Sequence, residues 1–206
     1  MQGSLGATGS VRARVIRAPK APLSWRIRNA LSYGFLWFWI MHKVGAWFSK
    51  FSGLVVILPV LRAKLIKADG RVIDYGIVCR RLVTQNGVGF IVDDWVDDTT
   101  DITDMSFHAS GTGTTAAAND DTALETEATT VTDRVDSTPS EGAYNILQSI
   151  GTQSFTGSAA ITEHGLFSVI TESTGVMWDH HVFAAINVDN GDSIQWTYQA
   201  TLAPET

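Results

Sequence analysis

Short runs of alternating apolar and polar residues, separated by turns roughly every ten positions, fill the second half of this chain. In the clearest run, Ser193–Leu202, every second residue is apolar, and a turn-forming segment, Asp189–Asp192, precedes it. Such alternation places one face of a strand against a core and the other toward solvent. Repeated strands joined by turns predict an antiparallel β-sandwich. The predicted strands are Thr130–Asp136, Tyr144–Phe155, Ile161–Val169, Val176–Ile186 and Ser193–Leu202.

Two segments further upstream extend this pattern. Asp69 and Gly70 lie between two apolar runs, Leu61–Lys67 and Arg71–Val78, and an Asp-Gly pair in that setting predicts a β-hairpin. Farther along, four apolar residues recur at helical spacing and predict one short amphipathic helix, whose polar face is rich in carboxylates. These four are Val88, Ile91, Val92 and Trp95.

Charge is divided between the two parts of the chain. Eleven of the 15 Lys and Arg residues lie at or before Lys67, and all 21 Asp and Glu residues lie after it. We therefore predict a basic, aromatic N-terminal arm or amphipathic helix over residues 1–60 and an acidic domain over residues 61–206. The domain is expected to be mainly β, a jelly-roll or immunoglobulin-like sandwich with one short helix. An acidic domain repels nucleic acid, so no specific nucleic-acid partner is expected.

The N-terminal arm combines cations with large aromatic residues. Six cations precede Trp37, and Tyr33–Met41 is an almost wholly apolar run. Lys43 and Lys50 interrupt the stretch of about 18 apolar residues that a membrane span needs, which favours an interfacial helix or a segment docked on a neighbouring subunit. A translated extension without a role is a third interpretation. The residues expected to bind a partner are Arg26, Arg28, Trp37, Trp39 and Trp47.

Two loops carry residues that suggest ligand binding but lack a complete motif. Gly111–Thr115 is rich in glycine and hydroxyl groups, yet no lysine follows at the position that a phosphate-binding loop requires. The acidic run from Asp93 to Asp104 lacks the spacing of a calcium-binding loop. Neither loop therefore predicts a nucleotide or metal site.

The histidines and the single cysteine form no recognisable catalytic motif. His180 and His181 are adjacent, so on a strand they point to opposite faces and cannot both reach one metal ion. His164 lies near Ser168, but the chain contains no nucleophile-elbow sequence. Cys79 is the only cysteine, which excludes an intrachain disulfide. We expect no enzymatic activity, no cofactor and no metal.

Three stretches in a fixed order carry a resemblance to a known family. They read FHASGTGTT with DTAL, AITEHGLF, and VFAAINV with GDSIQWTY, and they begin at Phe107, Ala160 and Val182. In this order they resemble small structural proteins of tailed bacteriophages, including modules of tail-fibre and collar proteins. The resemblance covers roughly Leu61 to Ala203.

The resemblance implies a non-enzymatic virion protein that binds other virion proteins, either major capsid or tail subunits. It also implies a symmetric homo-oligomer. We favour capsid decoration or cement over a tail or head–tail component. The alternative is a membrane-associated protein that its basic, aromatic N-terminal segment anchors to a bilayer.

Overall fold

The computed structural model describes residues 18–31, 39–40, 43–45, 47, 56–80, 83–96, 105–131, 133–143 and 145–203. Two antiparallel sheets make up most of the structure, which confirms the predicted β-sandwich-like fold. The longer helices are α1 (Leu23–Leu31) and α2 (Gln85–Val96). The strands are β1 (Val56–Ile66), β2 (Val72–Arg80), β3 (Phe107–Gly111), β4 (Ser140–Ala143), β5 (Ile146–Ser154), β6 (Ala159–Phe167), β7 (Met177–Val188) and β8 (Ser193–Ala203).

The core lies between a five-stranded sheet, in the order β2-β1-β8-β5-β4, and a three-stranded sheet, β3-β6-β7. β8 is the central strand of the larger sheet, and its alternation decides which side is buried. Ile194, Trp196 and Tyr198 are fully buried, whereas Gln195 and Thr197 are half-buried on the opposite face. The predicted strand and its register are therefore confirmed.

β1 and β2 form the hairpin that the Asp-Gly pair predicts. Gly70 has a φ of 83°, a left-handed conformation that glycine adopts without steric cost. Lys67 N–H donates a hydrogen bond of 2.8 Å to the carbonyl of Arg71 across the turn. β1 begins at Val56, so residues 56–60, which precede the proposed domain boundary at 61, belong to the same strand.

α1 lies in the N-terminal segment and packs across the edges of both sheets. The Trp25 indole N–H donates to the carbonyl of Ala184 on β7 at 2.9 Å. Asn29 donates to the carbonyl of Val78 on β2 and accepts from the amide of Ala184, each at 2.8 Å. Trp25 and Asn29 are both buried. Residues before position 61 thus contribute side chains to the folded interior.

α2 is the helix predicted from the spacing of apolar residues, and Thr84 caps its start. The Gly87 amide donates to Thr84 Oγ1 at 3.0 Å, which satisfies one of the free donors of the first turn. Thr84 Oγ1 in turn donates to the carbonyl of Met177 at 2.6 Å. This cap attaches α2 to β7.

The side of α2 that faces the core overlaps the predicted apolar stripe only at Ile91, which is partly buried. Gly87 and Phe90 are buried, whereas Val88, Val92 and Trp95 are exposed. Gly87 explains the orientation, because a side chain there would come within 2.5 Å of the Trp178 carbonyl oxygen. The glycine side of the helix can therefore approach β7 closely, and this orientation leaves Val88, Val92 and Trp95 exposed.

A long loop between β3 and β4 covers the outer face of the three-stranded sheet. The prediction of a strand over Thr130–Asp136 is wrong, because the described residues of this segment form only isolated bridges, such as Val135 with His108. Leu124 packs with Ala109, Phe167 and Met177 in a second, smaller apolar cluster. The three-stranded sheet is consequently buried on both faces.

Candidate functional site

Three groups of residues stand out from the rest of the fold. Two lie on opposite faces of the three-stranded sheet: a histidine row on the inner face and a carboxylate cluster around Glu163 on the outer face. The third lies on the outward sides of α1 and α2. The histidine row consists of His108, His164 and His181.

The histidine row places three imidazoles in the sandwich interior. His108 Nδ1 lies 2.9 Å from His164 Nε2, so one nitrogen donates to the other. The His164 and His181 rings follow one another, with centroids 6.0 Å apart. At the other end, His108 Nε2 lies 2.8 Å from the hydroxyl of Ser149. All three histidines are fully buried, and their bonded partners belong to the same chain.

Burial and neighbouring charges give these three histidines different pKa values. Burial lowers the pKa of His108 to about 3, with a further contribution from the nearby charge of His181. Burial also holds the pKa of His164 well below its ordinary value, assisted by the charges of its histidine neighbours. Burial opposes the charged form of His181 as well, but the carboxylate of Asp179 outweighs it and raises that pKa to about 9.

His181 and Asp179 therefore form a buried ion pair. Asp179 Oδ1 lies 3.3 Å from His181 Nε2, and both side chains are fully buried. The contact lacks hydrogen-bond geometry, and among the described residues neither carboxylate oxygen of Asp179 has a hydrogen-bond partner. Desolvation of two charges in this setting is costly, so the pair is held by the packing around it.

On the outer face, Glu163 binds the long loop through its carboxylate. Oε1 accepts from the amides of Gly113 and Thr126, both at 2.8 Å, and Oε2 accepts from the amide of Glu125 at 3.0 Å. His180 Nε2 lies 3.1 Å from Oε2. Burial would raise the pKa of Glu163, but these donors together lower it. We call this set of contacts the Glu163 clasp.

The glycine- and hydroxyl-rich loop, Gly111–Thr115, binds carboxylates of the chain itself, those of Glu163 and Glu125. Besides Gly113, the amides of Thr114 and Thr115 donate to Glu125 Oε2 at 2.7 and 2.8 Å. A side chain at Gly113 would come within 2.6 Å of Glu163 Oε1. The glycine is therefore needed for the close approach of the carboxylate, and these amides serve the fold.

His180 and His181 point to opposite faces, as predicted. His180 Nδ1 contacts Asp121 at 2.6 Å on the outer face, while His181 contacts Asp179 on the inner face. Within the described part of the chain, no three His, Cys, Asp or Glu side chains converge on a point that could hold a metal ion. The contacts that both clusters make in the structure are hydrogen bonds and charge pairs within the chain.

Two clefts flank the segment that leads into α1. One, of about 330 Å³, lies between α1 and β2 and includes Lys20, Arg26 and Asp74 in its lining. The other, of about 600 Å³, lies beside Pro19 and Ile73 and also includes Lys20. Both clefts lie at the edge strand β2, away from the histidine row and the Glu163 clasp.

The expected partner-binding residues fall partly within the described structure. Arg26 and Arg28 are exposed on α1. Trp39 and Trp47 lie in short helical segments with 42% and 57% of their surface exposed, and Lys43 lies 6.0 Å from the Trp39 ring. Trp37 lies outside the described residues. No helix among the described residues is long and apolar enough to cross a bilayer.

The outward sides of α1 and α2 form the most exposed apolar surface of the described structure, which we call the helical face. Sequence reasoning found part of the α2 stripe but missed the α1 stripe, although its residues recur every four positions. On α2 the most exposed member is Trp95, at 80%. The helical face consists of Leu23, Ile27, Leu31, Val88, Val92, Trp95 and Val96.

Comparisons with family models, curated proteins and solved structures found no significant match to this chain.

Proposed function

We propose that this chain is a non-enzymatic structural protein of a bacteriophage virion and that it binds neighbouring virion subunits through the helical face. The observation that carries the proposal is the exposure of large apolar side chains on two helices that are both attached to β7. Leu31 and Trp95 are about four-fifths exposed, at 82% and 80%. Large contiguous apolar patches on a soluble protein are typical of surfaces that bind another protein.

The placement of the ionisable residues supports a binding role. His108 and His164 are buried and hydrogen-bonded within the interior. Glu163 on β6 accepts hydrogen bonds from backbone amides of the loop between β3 and β4. These groups stabilise the sandwich and the loop that covers it. The side chains of the helical face, in contrast, are largely exposed to water. Their burial by another molecule would lower the free energy.

The resemblance to tailed-phage structural proteins gives the biological setting for this surface. Within a virion we favour capsid decoration or cement over a tail or head–tail position. A compact sandwich with one apolar side suits docking on a repeated shell lattice, where weak contacts multiply across many copies.

Quantitative mass spectrometry of purified particles tests the proposal. Particles from a lysate of the source should contain this chain at a fixed ratio to the major capsid protein, and the ratio should survive a density gradient. A copy number in a simple whole-number ratio to the major capsid protein favours decoration. Only a few copies per particle favour the tail. Absence of the chain from particles would contradict the proposal.

Membrane association is the second candidate, and one observation favours it. The outward stripe of α1 is flanked by Arg26 and Arg28, a pattern that suits the boundary between acyl chains and anionic headgroups. Flotation of the full chain with vesicles that contain anionic lipid separates the two candidates. Co-flotation that Ile27→Ser abolishes, together with absence from particles, would favour the membrane.

A further inference from the structure

We infer that the helical face is a two-fold interface between two copies of this chain, in which α1 of each copy packs against α2 of the other. The inference rests on the proposed function in one respect, the assignment of the helical face as a protein-binding surface. It names the partner as a second copy and specifies how the helices pair.

The two helices lie on the same side of the sandwich. β2 and β7 are the edge strands of the two sheets, and Cys79 Sγ on β2 contacts the Val182 carbonyl on β7 at 3.7 Å. α1 bridges these two strands through Asn29. α2 directly follows β2 and is attached to β7, where the Thr84 amide donates to the Trp178 carbonyl at 2.9 Å. Both helices therefore cover the β2–β7 side.

The apolar stripe of α1 points directly away from the core. Successive residues of an α-helix are rotated by about 100°, so a residue two positions from a buried one lies about 200° around the helix. Trp25 and Asn29 face the sandwich, and Ile27 between them faces outward with 51% of its surface exposed. Leu23 and Leu31, four residues to either side, continue the same outward stripe.

The stripe of α2 spans the same number of residues as that of α1. Val88, Val92 and Val96 recur every four residues, and Trp95 adds a large aromatic ring beside them. Two stripes of this kind can pack side by side along their length, with the indole as a buried anchor.

The charges beside the two stripes are opposite in sign. Arg26 and Arg28 lie on either side of the α1 stripe, and α1 carries no acidic residue. Asp93 is exposed beside the α2 stripe, and α2 carries no basic residue. α1 against α1 would bring like charges together, and so would α2 against α2. Pairing of α1 with α2 places arginines opposite an aspartate, and a two-fold axis makes this pairing twice.

A dissociation series on the purified full-length chain tests this interface. Light scattering after size-exclusion chromatography should give twice the monomer mass. Trp95→Glu should raise the dimer dissociation constant by about 30-fold or more, as expected for an interface anchor. Ile150→Glu is the matched control, because Ile150 is 44% exposed on the outer face of the five-stranded sheet, and it should leave the dimer unchanged. Circular dichroism confirms that each variant is folded.

Charge reversal tests the pairing of the helices. Arg26→Glu and Asp93→Arg should each weaken the dimer, and the double reversal should restore most of the lost affinity. Equal weakening by the single variants without restoration in the double variant would overturn the α1–α2 pairing.

Two outcomes separate this inference from the proposed function. A chain that is monomeric at micromolar concentration, yet present in particles at a fixed ratio, would overturn the inference and leave the virion role intact. A dimer that dissociates in Trp95→Glu but is absent from particles would support the interface and overturn the virion role.

Discussion

The apolar sandwich interior also holds ionisable groups that are usually exposed, whereas the helical face exposes apolar side chains that are usually buried. Between the sheets lie three imidazoles and the carboxylate of Asp179, while the outward sides of α1 and α2 carry leucine, isoleucine, valine and tryptophan. The interior groups contact residues of their own chain, and His108 bonds to both His164 and Ser149. The side chains of the helical face remain 46–82% exposed within the described structure.

This difference separates what stabilises the fold from what the fold offers to a partner. Substitutions in the interior should change the free energy of unfolding, and substitutions on the helical face should change association.

A fall in pH should cause the largest loss of stability. His108 has a pKa of about 3 when folded against 6.5 ordinarily, so the unfolded chain binds more protons below pH 6.5. The stability that neutral His108 contributes is complete above pH 6.5 and is lost as the pH falls toward 3. His164 acts in the same direction. Urea unfolding at several pH values should show this loss, with a shallower slope for His108→Gln.

A rise in pH should destabilise the fold through a different residue. The folded pKa of His181 is raised to about 9, so its contribution is complete below pH 6.5 and is lost as the pH rises through 9. A stability maximum near neutral pH follows from the two opposite shifts. A flat profile between about pH 5 and 9 would contradict the assigned charge states.

Breaking the buried ion pair should have the next largest effect. Asp179→Ala leaves the charge of His181 buried without its partner, and losses of about 3–5 kcal/mol are typical of such changes. Replacement of both residues, as Asp179→Leu with His181→Phe, should cost less than the single change. Chemical denaturation measures both. A single variant as stable as the wild type would show that the pair is not charged.

Loss of the charge on Glu163 should have a smaller effect. Glu163→Gln keeps the size of the side chain but leaves an amide where three backbone donors and His180 converge. Hydrogen bonds to a charged group contribute about 1.5–3 kcal/mol each, and we expect a net loss near the lower end. Glu172→Gln, on the exposed Thr171–Thr174 loop, is the control and should change stability little. Faster hydrogen exchange at Gly113 and Thr126 should accompany the loss.

Polar substitutions on the helical face should affect stability least. Leu23→Ser and Ile27→Ser remove outward side chains that make few contacts with the sandwich, so the monomer should change by less than about 0.5 kcal/mol. Trp196→Ala, on the buried face of β8, should instead cost about 3–5 kcal/mol. Comparable losses for Ile27→Ser and Trp196→Ala would show that the helical face belongs to the core.

The sequence predicts those parts of the fold that depend on neighbours in the chain. The alternation of β8 and the Asp69-Gly70 turn are local signals, and both are confirmed. The buried side of α2 depends on the approach of Gly87 to Trp178, about 90 positions away, which no spacing within the helix reveals.

The candidate sites follow the same rule. The opposite orientation of His180 and His181 follows from strand geometry and was predictable. The Glu163 clasp joins β6 to a loop about 40–50 positions earlier, and the histidine row joins β3, β6 and β7. Their partners become visible only once the strands are paired.

The most direct test of the central claim compares self-association and stability in the same variants. Full-length wild type, Trp95→Ser and Ile150→Ser are each studied by light scattering after size-exclusion chromatography, and their unfolding is measured at concentrations at which all three are monomeric. We predict equal unfolding free energies for the three monomers, a dimer for Ile150→Ser and a loss of the dimer for Trp95→Ser. An undiminished dimer of folded Trp95→Ser would contradict this.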